Sequence, residues 1–186
     1  MANEEEFGRL VETTRKAGAA LRDAGVSYAL GGGLAAWVRG GPKTEHDIDF
    51  FVKPEDAERA LAALADAGFR PERPVEEWLL KAFDGDLLVD LIFNPASGPV
   101  DDELLGRADE LEVAAVSMPV ASLDDVMVTK LLALNEQEPD FGGCLEIARS
   151  LREQIAWDRV RERTAAAPFA AAFFTLVEEL GVVRAT

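Results

Sequence analysis

Residues 29–50 read ALGGGLAAWVRGGPKTEHDIDF, and this stretch decides the fold. A short apolar strand leads into three consecutive glycines, which are followed by a short helical segment, a second glycine loop and a strand that begins at Asp47. Asp47 and Asp49 stand two positions apart, and because side chains alternate between the faces of a strand, both carboxylates project from one face. An Asp-x-Asp pair occurs by chance about once in a chain of this length, so its surroundings must decide its meaning.

A third carboxylate, Asp90, lies in the apolar run LLVDLIF at 87–93. An unpaired carboxylate there costs much free energy or takes up a proton. If this run lies beside the Asp47 strand, three carboxylates converge, and a divalent cation would relieve their repulsion. The alternative is a buried acid that an arginine or backbone amides satisfy. With one cysteine and one histidine in the chain, metal ligands would be oxygens, which suits magnesium or manganese.

Hydrophobic periodicity predicts the remaining elements. Helices are expected at 4–24, 34–38, 54–68, 142–155, 157–165 and 168–180, with a further helix that Ser122 caps. Strands are expected at 27–30, 47–52 and 111–120, and Asp84-Gly85 should join 78–83 to 86–93 as a hairpin. This order predicts an α+β fold, a small mixed sheet flanked by helices, with a core at 1–120 and a helical C-terminal part at 121–186.

Composition narrows the class of protein. The chain has 186 residues, 48% of them hydrophobic, and a formal charge of −16. That charge opposes general nucleic-acid binding, so any such contact needs a local basic patch. We expect a cytoplasmic protein without a membrane partner, because the start MANEEEFGRL is acidic and no apolar run is long enough to span a bilayer. Cys144 is the single cysteine, so no internal disulfide forms and no disulfide-linked partner is expected.

As an ordered set, these motifs resemble the nucleotidyltransferase superfamily of the DNA polymerase β type. The resemblance rests on ALGGGLA at 29–35, KTEHDIDF at 43–50 and VDL at 89–91, and it covers about residues 26–95. Among its members, the chain is most similar to the small aminoglycoside and lincosamide nucleotidyltransferases and to the AbiEii-type toxin nucleotidyltransferases. The resemblance implies a nucleotidyltransferase-type sheet.

The resemblance also implies an enzyme that transfers a nucleoside monophosphate from an NTP to a hydroxyl. Asp47 and Asp49 would hold two magnesium ions, with manganese as the alternative, and Asp90 would bind the catalytic metal and act as the base. Gly32 and Gly33 would hold the phosphates. Many members carry serine after the glycine, whereas this chain continues with Gly33 and Leu34, so the backbone would have to supply that phosphate contact.

Three further residues are candidate nucleotide contacts. Lys130 lies on the predicted helix after the sheet, where related enzymes place a lysine near the phosphates, and its alternative is a solvated charge. Lys43 and Thr44 precede Asp47, and they either contact phosphate or cap the strand. His46 adjoins the carboxylate pair, but strand alternation points it away from them, which favours a surface role.

The acceptor is expected to be a small hydroxylated molecule, because an acidic protein suits a cationic ligand better than a polyanion. Acidic residues such as Glu76 or Glu77 would then matter. An RNA 3′ end is the alternative, and a non-catalytic nucleotide-binding homologue is the third reading. RNA would require the basic group to face the cleft, namely Arg149, Arg152, Arg159, Arg161 and Arg163. Trp37 and Trp78 either stack on a ring of a ligand or belong to the core.

Overall fold

The computed structural model describes residues 2–44 and 47–184. Within these ranges the helices are α1 Ala2–Asp23, α2 Gly32–Val38, α3 Ala57–Asp66, α4 Asp102–Gly106, α5 Leu123–Ala133, α6 Gly142–Leu151, α7 Trp157–Arg163 and α8 Pro168–Glu179. The strands are β1 Tyr28–Leu30, β2 Ile48–Val52, β3 Arg70–Glu72, β4 Leu79–Asp84, β5 Leu87–Ile92, β6 Asp109–Val113 and β7 Val116–Val120. Two short 3₁₀ segments, Pro54–Asp56 and Arg152–Gln154, adjoin α3 and α6.

The strands form one mixed sheet in the order β3-β4-β5-β2-β1-β7-β6. Neighbours β2 and β5 run parallel, as do β1 and β7, and the other pairs are antiparallel. The sheet and its flanking helices confirm the predicted α+β class. Its central strands are buried on both faces, which explains why β2 and β5 are almost wholly apolar apart from their carboxylates.

The segment predicted as one strand at 111–120 is a hairpin, so that prediction was wrong. Strands β6 and β7 pair antiparallel with Val113 opposite Val116, and the two-residue loop between them is Ala114-Ala115. Both alanines have positive φ, 49° and 64°, as a type I′ turn requires. Asparagine and glycine usually mark such turns, so the alanine pair carried no turn signal.

The hairpin of β4 and β5 was predicted, but its two-residue loop lies one residue later in the chain than expected. Asp84 pairs with Leu87, so the loop is Gly85-Asp86 and not Asp84-Gly85. Gly85 has φ 67°, which the first residue of such a tight loop needs. The shift places Lys81 directly opposite Asp90.

The helices position the site from several sides. Helix α2 packs on β2 and contacts α5 and α6, while α5 also contacts α7 and α8. Ser122 caps α5 as predicted, since its hydroxyl accepts a hydrogen bond from the backbone N–H of Asp125 at 3.1 Å. The division at residue 120 stays a prediction. No helix among the described residues is long and apolar enough to cross a membrane.

Candidate active site

Two of the predicted carboxylates are direct neighbours on adjacent strands. Asp49 on β2 and Asp90 on β5 are Cα partners in the parallel register. Asp90 is 8% exposed, and its buried Oδ1 has no hydrogen-bond partner among the described residues. The alternative expectation was that an arginine or backbone amides satisfy the Asp90 carboxylate, and for Oδ1 the described residues show no such contact.

The pKa values of both carboxyls are raised. Burial raises the pKa of Asp49 to about 7; Lys130 lowers it, and Asp90 and Asp47 raise it further. Burial also raises the pKa of Asp90 to about 6, where Lys81 opposes the shift and Asp47 adds to it. Asp47 itself is exposed and lies one residue before β2, yet its charge acts on both carboxyls. The site therefore concentrates negative charge in poorly solvated surroundings.

The donor set fits a hard divalent cation, although the carboxylates do not stand as a finished cluster. Among residues 2–44 and 47–184, no three His, Cys, Asp or Glu side chains are arranged to hold a metal ion. The unpartnered Asp90 Oδ1 and the raised pKa of Asp49 nevertheless indicate that a positive charge would stabilise this group. Carboxylate oxygens are the ligands that magnesium and manganese prefer.

The glycine turn lies directly against Asp49. The backbone N–H of Gly31 donates to the carbonyl of Asp49 at 2.8 Å, which joins the turn to β2. Gly32 has φ +56°, and a Cβ there would lie 1.8 Å from Asp49 Oδ2. A Cβ on Gly33 would lie 2.8 Å from Thr44 Oγ1. Glycine is therefore required at 32 for both backbone conformation and space.

Two cavities flank the turn, and Lys130 lines both. The Lys43 cavity, of about 410 Å³, is lined among others by Gly33, Lys43, Thr44, Lys130, Asp140 and Glu146. The Trp78 cavity, of about 610 Å³, is lined among others by Gly32, Asp49, Phe51, Trp78, Lys130 and Glu138. The two cavities thus share Lys130, and Asp49 is among the residues that line the Trp78 cavity.

Comparison with known proteins identifies the family of the chain. A family model described as an uncharacterised nucleotidyltransferase matches residues 11–179, most of the chain. The chain belongs to this nucleotidyltransferase family. No curated protein matches it. Membership makes the protein an enzyme of the nucleotidyltransferase type and confirms the resemblance seen in the sequence.

Solved structures share the fold of this nucleotidyltransferase. The solution structure of the antibiotic-resistance factor ANT(2'')-Ia aligns with a TM-score of 0.62 at 19% identity, covering 92% of this chain and 96% of that one. The crystal structure of ANT(2'')-Ia with adenylyl-2''-tobramycin aligns with a TM-score of 0.59 at 19% identity, covering 88% of this chain and 98% of that one. The lincomycin-bound lincosamide antibiotic adenylyltransferase LnuA aligns with a TM-score of 0.50 at 14% identity, covering 77% of this chain and 95% of that one.

The predicted nucleotide contacts of the nucleotidyltransferase line the two cavities beside the glycine turn. Gly33, Lys43, Thr44 and Lys130 line the Lys43 cavity, while Gly32 lines the Trp78 cavity. The ammonium of Lys43 also lies 5.1 Å from the centre of the Phe7 ring. His46 falls outside the described residues.

The aromatic and acidic candidates for acceptor contacts lie in different surroundings. Trp37 makes an edge contact with Phe7, 4.9 Å between ring centres, and is packed against the core. Trp78 is 42% exposed and lines a cavity. Glu76 and Glu77 are exposed, and neither is among the described residues that line the two cavities.

Two of the five arginines in the basic group of the C-terminal helices pair with carboxylates elsewhere in the nucleotidyltransferase, while Arg149, Arg152 and Arg159 are exposed. Arg163 pairs with the fully buried Asp125 at 2.8 Å, and Arg107 pairs with the same carboxylate. Arg161 pairs with Glu178 and lies over the ring of Phe174. Arg161 and Arg163 contribute little to a basic surface because each is paired with a carboxylate, and these two pairs give no support to an RNA partner.

Sequence reasoning missed several residues near the site. Lys81 could have been found from the hairpin register, because a loop at Gly85-Asp86 pairs it with Asp90. Glu138 and Glu146 carry no local signal, since they reach the cavities only through the packing of the chain after α5.

Proposed function

We propose that this nucleotidyltransferase transfers a nucleoside monophosphate from an NTP to a hydroxyl of a small-molecule acceptor, in a reaction that depends on magnesium. The observation that carries the proposal is the pairing of Asp49 with Asp90, two carboxylates in adjacent register beside a glycine turn. Catalysis of phosphoryl-type transfer consists mainly of positioning and charge neutralisation, so it needs no covalent nucleophile.

Asp47, Asp49 and Asp90 are the residues that would hold the metal, two magnesium ions or manganese in their place. When bound, such ions neutralise the triphosphate and favour loss of the proton of an attacking hydroxyl. Their carboxylates sit on rigid strands or at a strand start, so their backbone positions are set before any ligand arrives.

The Lys43 cavity suits the nucleotide. Lys43 and Lys130 supply positive charge, Gly33 leaves the backbone open to close approach, and Thr44 supplies a hydroxyl beside Gly33. Gly33 of this cavity directly follows Gly32, which packs against Asp49, so phosphates that reach Gly33 would approach that carboxylate. These contacts replace the serine hydroxyl that related enzymes use.

Asp90 is the proposed base. Its pKa of about 6 and its unpartnered Oδ1 suit a group that accepts the proton of the acceptor hydroxyl near neutral pH. The acceptor oxygen then bonds to the α-phosphorus, the bond from that phosphorus to the bridging oxygen breaks, and pyrophosphate leaves. Lys81, opposite Asp90, limits the rise of that pKa.

A small-molecule acceptor is supported by the neighbours that share the fold, which hold an adenylylated tobramycin and lincomycin. The engaged arginines Arg161 and Arg163 argue against an RNA 3′ end. The presence of all three carboxylates argues against a non-catalytic homologue.

The test is transfer of label from each α-labelled NTP, with magnesium, to a pool of small hydroxyl compounds and to an RNA pool. We expect labelled small molecules and unlabelled RNA. Asp90→Asn should reduce transfer at least a hundredfold, whereas Asp66→Asn, which removes an exposed carboxylate at the end of α3, should not. Full activity of Asp90→Asn, or label in RNA alone, would contradict the proposal.

A further inference from the structure

We infer that the acceptor of this nucleotidyltransferase binds in the Trp78 cavity and is a compact, mainly apolar hydroxyl compound with at most one cationic group. The indole of Trp78 contacts the apolar face of this compound. The inference deepens the proposed function and rests on it, because it assumes that the hydroxyl must reach the carboxylates. It also narrows the expectation, drawn from net charge, of a small and cationic acceptor.

The lining of the Trp78 cavity is the first support. Half of the described residues that line it are apolar, and they include Phe51, Trp78, Ile92, Pro95, Leu132 and Ala133. Its volume of about 610 Å³ lies within the range of about 300–1,000 Å³ typical of small-molecule sites. Asp49 lines the same cavity, so a molecule held on the apolar wall has a carboxylate of the catalytic pair beside it.

Trp78 combines an anchored backbone with an uncovered aromatic side chain. Its carbonyl accepts hydrogen bonds from the backbone N–H groups of Phe93 and Asn94, at 3.0 and 3.1 Å. These bonds tie its backbone to the end of β5, while 42% of the residue stays exposed. An exposed indole on an anchored backbone offers a large apolar face with few rotatable bonds to order, which suits a ring or a fused aliphatic surface.

The charges in the cavity limit how many cationic groups a ligand can bring. Asp49, Lys130 and Glu138 are the ionisable side chains among the described residues that line it. Asp49 belongs to the catalytic pair, and Lys130 also faces the nucleotide cavity. Of these described side chains, Glu138 is therefore the carboxylate left to pair with an amine.

The loop around Glu138 is ordered by a side chain of its own. Asn135 Oδ1 accepts hydrogen bonds from the backbone N–H groups of Gln137 and Glu138, at 2.9 and 3.1 Å. A polycation would bring several ammonium groups into a mainly apolar space that offers them chiefly the Glu138 carboxylate, and unpaired charges there are costly. The charge of −16 lies mostly elsewhere on the molecule.

The nucleotide is the competing occupant of this cavity, since a base could stack on Trp78. The Lys43 cavity suits the phosphates better, because its described lining sets two lysines against Asp140 and Glu146, whereas the Trp78 cavity sets one lysine against Asp49 and Glu138. Assigning the nucleotide to the Lys43 cavity leaves the Trp78 cavity for the acceptor.

The experiment measures binding by calorimetry, without turnover, for four ligands: ATP, the polycation tobramycin, the monocation lincomycin and the neutral 4-nitrophenyl glucoside. We expect lincomycin or the glucoside to bind at least tenfold more tightly than tobramycin. Trp78→Ala should weaken that binding at least tenfold, Trp78→Phe should restore most of it, and ATP affinity should stay unchanged. Glu138→Gln should weaken lincomycin but not the glucoside, and Glu77→Gln, an exposed acidic control outside the cavity lining, should change neither.

Three results would overturn the inference: tightest binding of tobramycin, no binding of any acceptor probe, or a Trp78→Ala variant that loses affinity for ATP instead. Labelled-NTP transfer separates this inference from the proposed function. Binding that follows the expected pattern without any transfer would refute the function alone. Transfer to tobramycin that Trp78→Ala leaves unchanged would refute only the inference.

Discussion

Replacing Asp49 by asparagine should stabilise the metal-free protein while it abolishes transfer. Burial, with the charges of Asp90 and Asp47, raises the pKa of Asp49 from 3.8 to about 7. The unfolded chain therefore loses this proton first, and the folded state loses stability as pH rises from about 4 to about 7. Three pKa units correspond to about 4 kcal/mol as an upper bound. Because Asp49 is partly open to a cavity, we expect about 2 kcal/mol.

Thermal unfolding in EDTA, from pH 4 to pH 8, measures this difference. The Asp49→Asn protein should melt like the wild type at pH 4 and about 4–8 °C higher at pH 8, given about 2–4 °C per kcal/mol for a chain of this size. Asp66→Asn removes an exposed acid and should show no such pH-dependent gain. Transfer by Asp49→Asn in magnesium should fall at least a hundredfold. A lower melting temperature than the wild type at pH 8 would mean that Asp49 is a structural hydrogen-bond acceptor, and the reasoning would fail.

Gly32→Ala should reduce transfer at least a hundredfold and lower the melting temperature, because its Cβ would lie 1.8 Å from Asp49 Oδ2; activity near that of the wild type would refute the close packing. Asp125→Ala should destabilise the fold by about 1.5–3 kcal/mol in urea unfolding, since it removes the buried carboxylate that Arg107 and Arg163 share. A loss below about 1 kcal/mol would contradict that pairing. Lys130→Ala should weaken NTP binding about tenfold by calorimetry with little change in melting temperature, and unchanged NTP affinity would remove it from the site.

Local sequence was enough to predict the candidate carboxylates and the glycine turn. Strand alternation and an acid inside an apolar run are features of consecutive residues, so the amino-acid order alone locates Asp49 and Asp90. The cap at Ser122 and the helices after it follow the same rule, because capping and helical periodicity act within about one or two turns. The α+β class followed from the order of such elements.

Partners across space depended on the tertiary structure. The Ala114-Ala115 turn carries no residue that marks a turn, and only strand pairing shows it. The register that sets Lys81 opposite Asp90 depends on which two residues close the β4–β5 loop. Arg163 counts as a free basic residue in the sequence, whereas in the fold it forms an ion pair with the buried carboxylate of Asp125. The net charge of the chain likewise does not predict the electrostatic field inside the cavities. That field depends on the few charged groups that lie within about a Debye length. Packing brings these groups together from positions far apart in the chain.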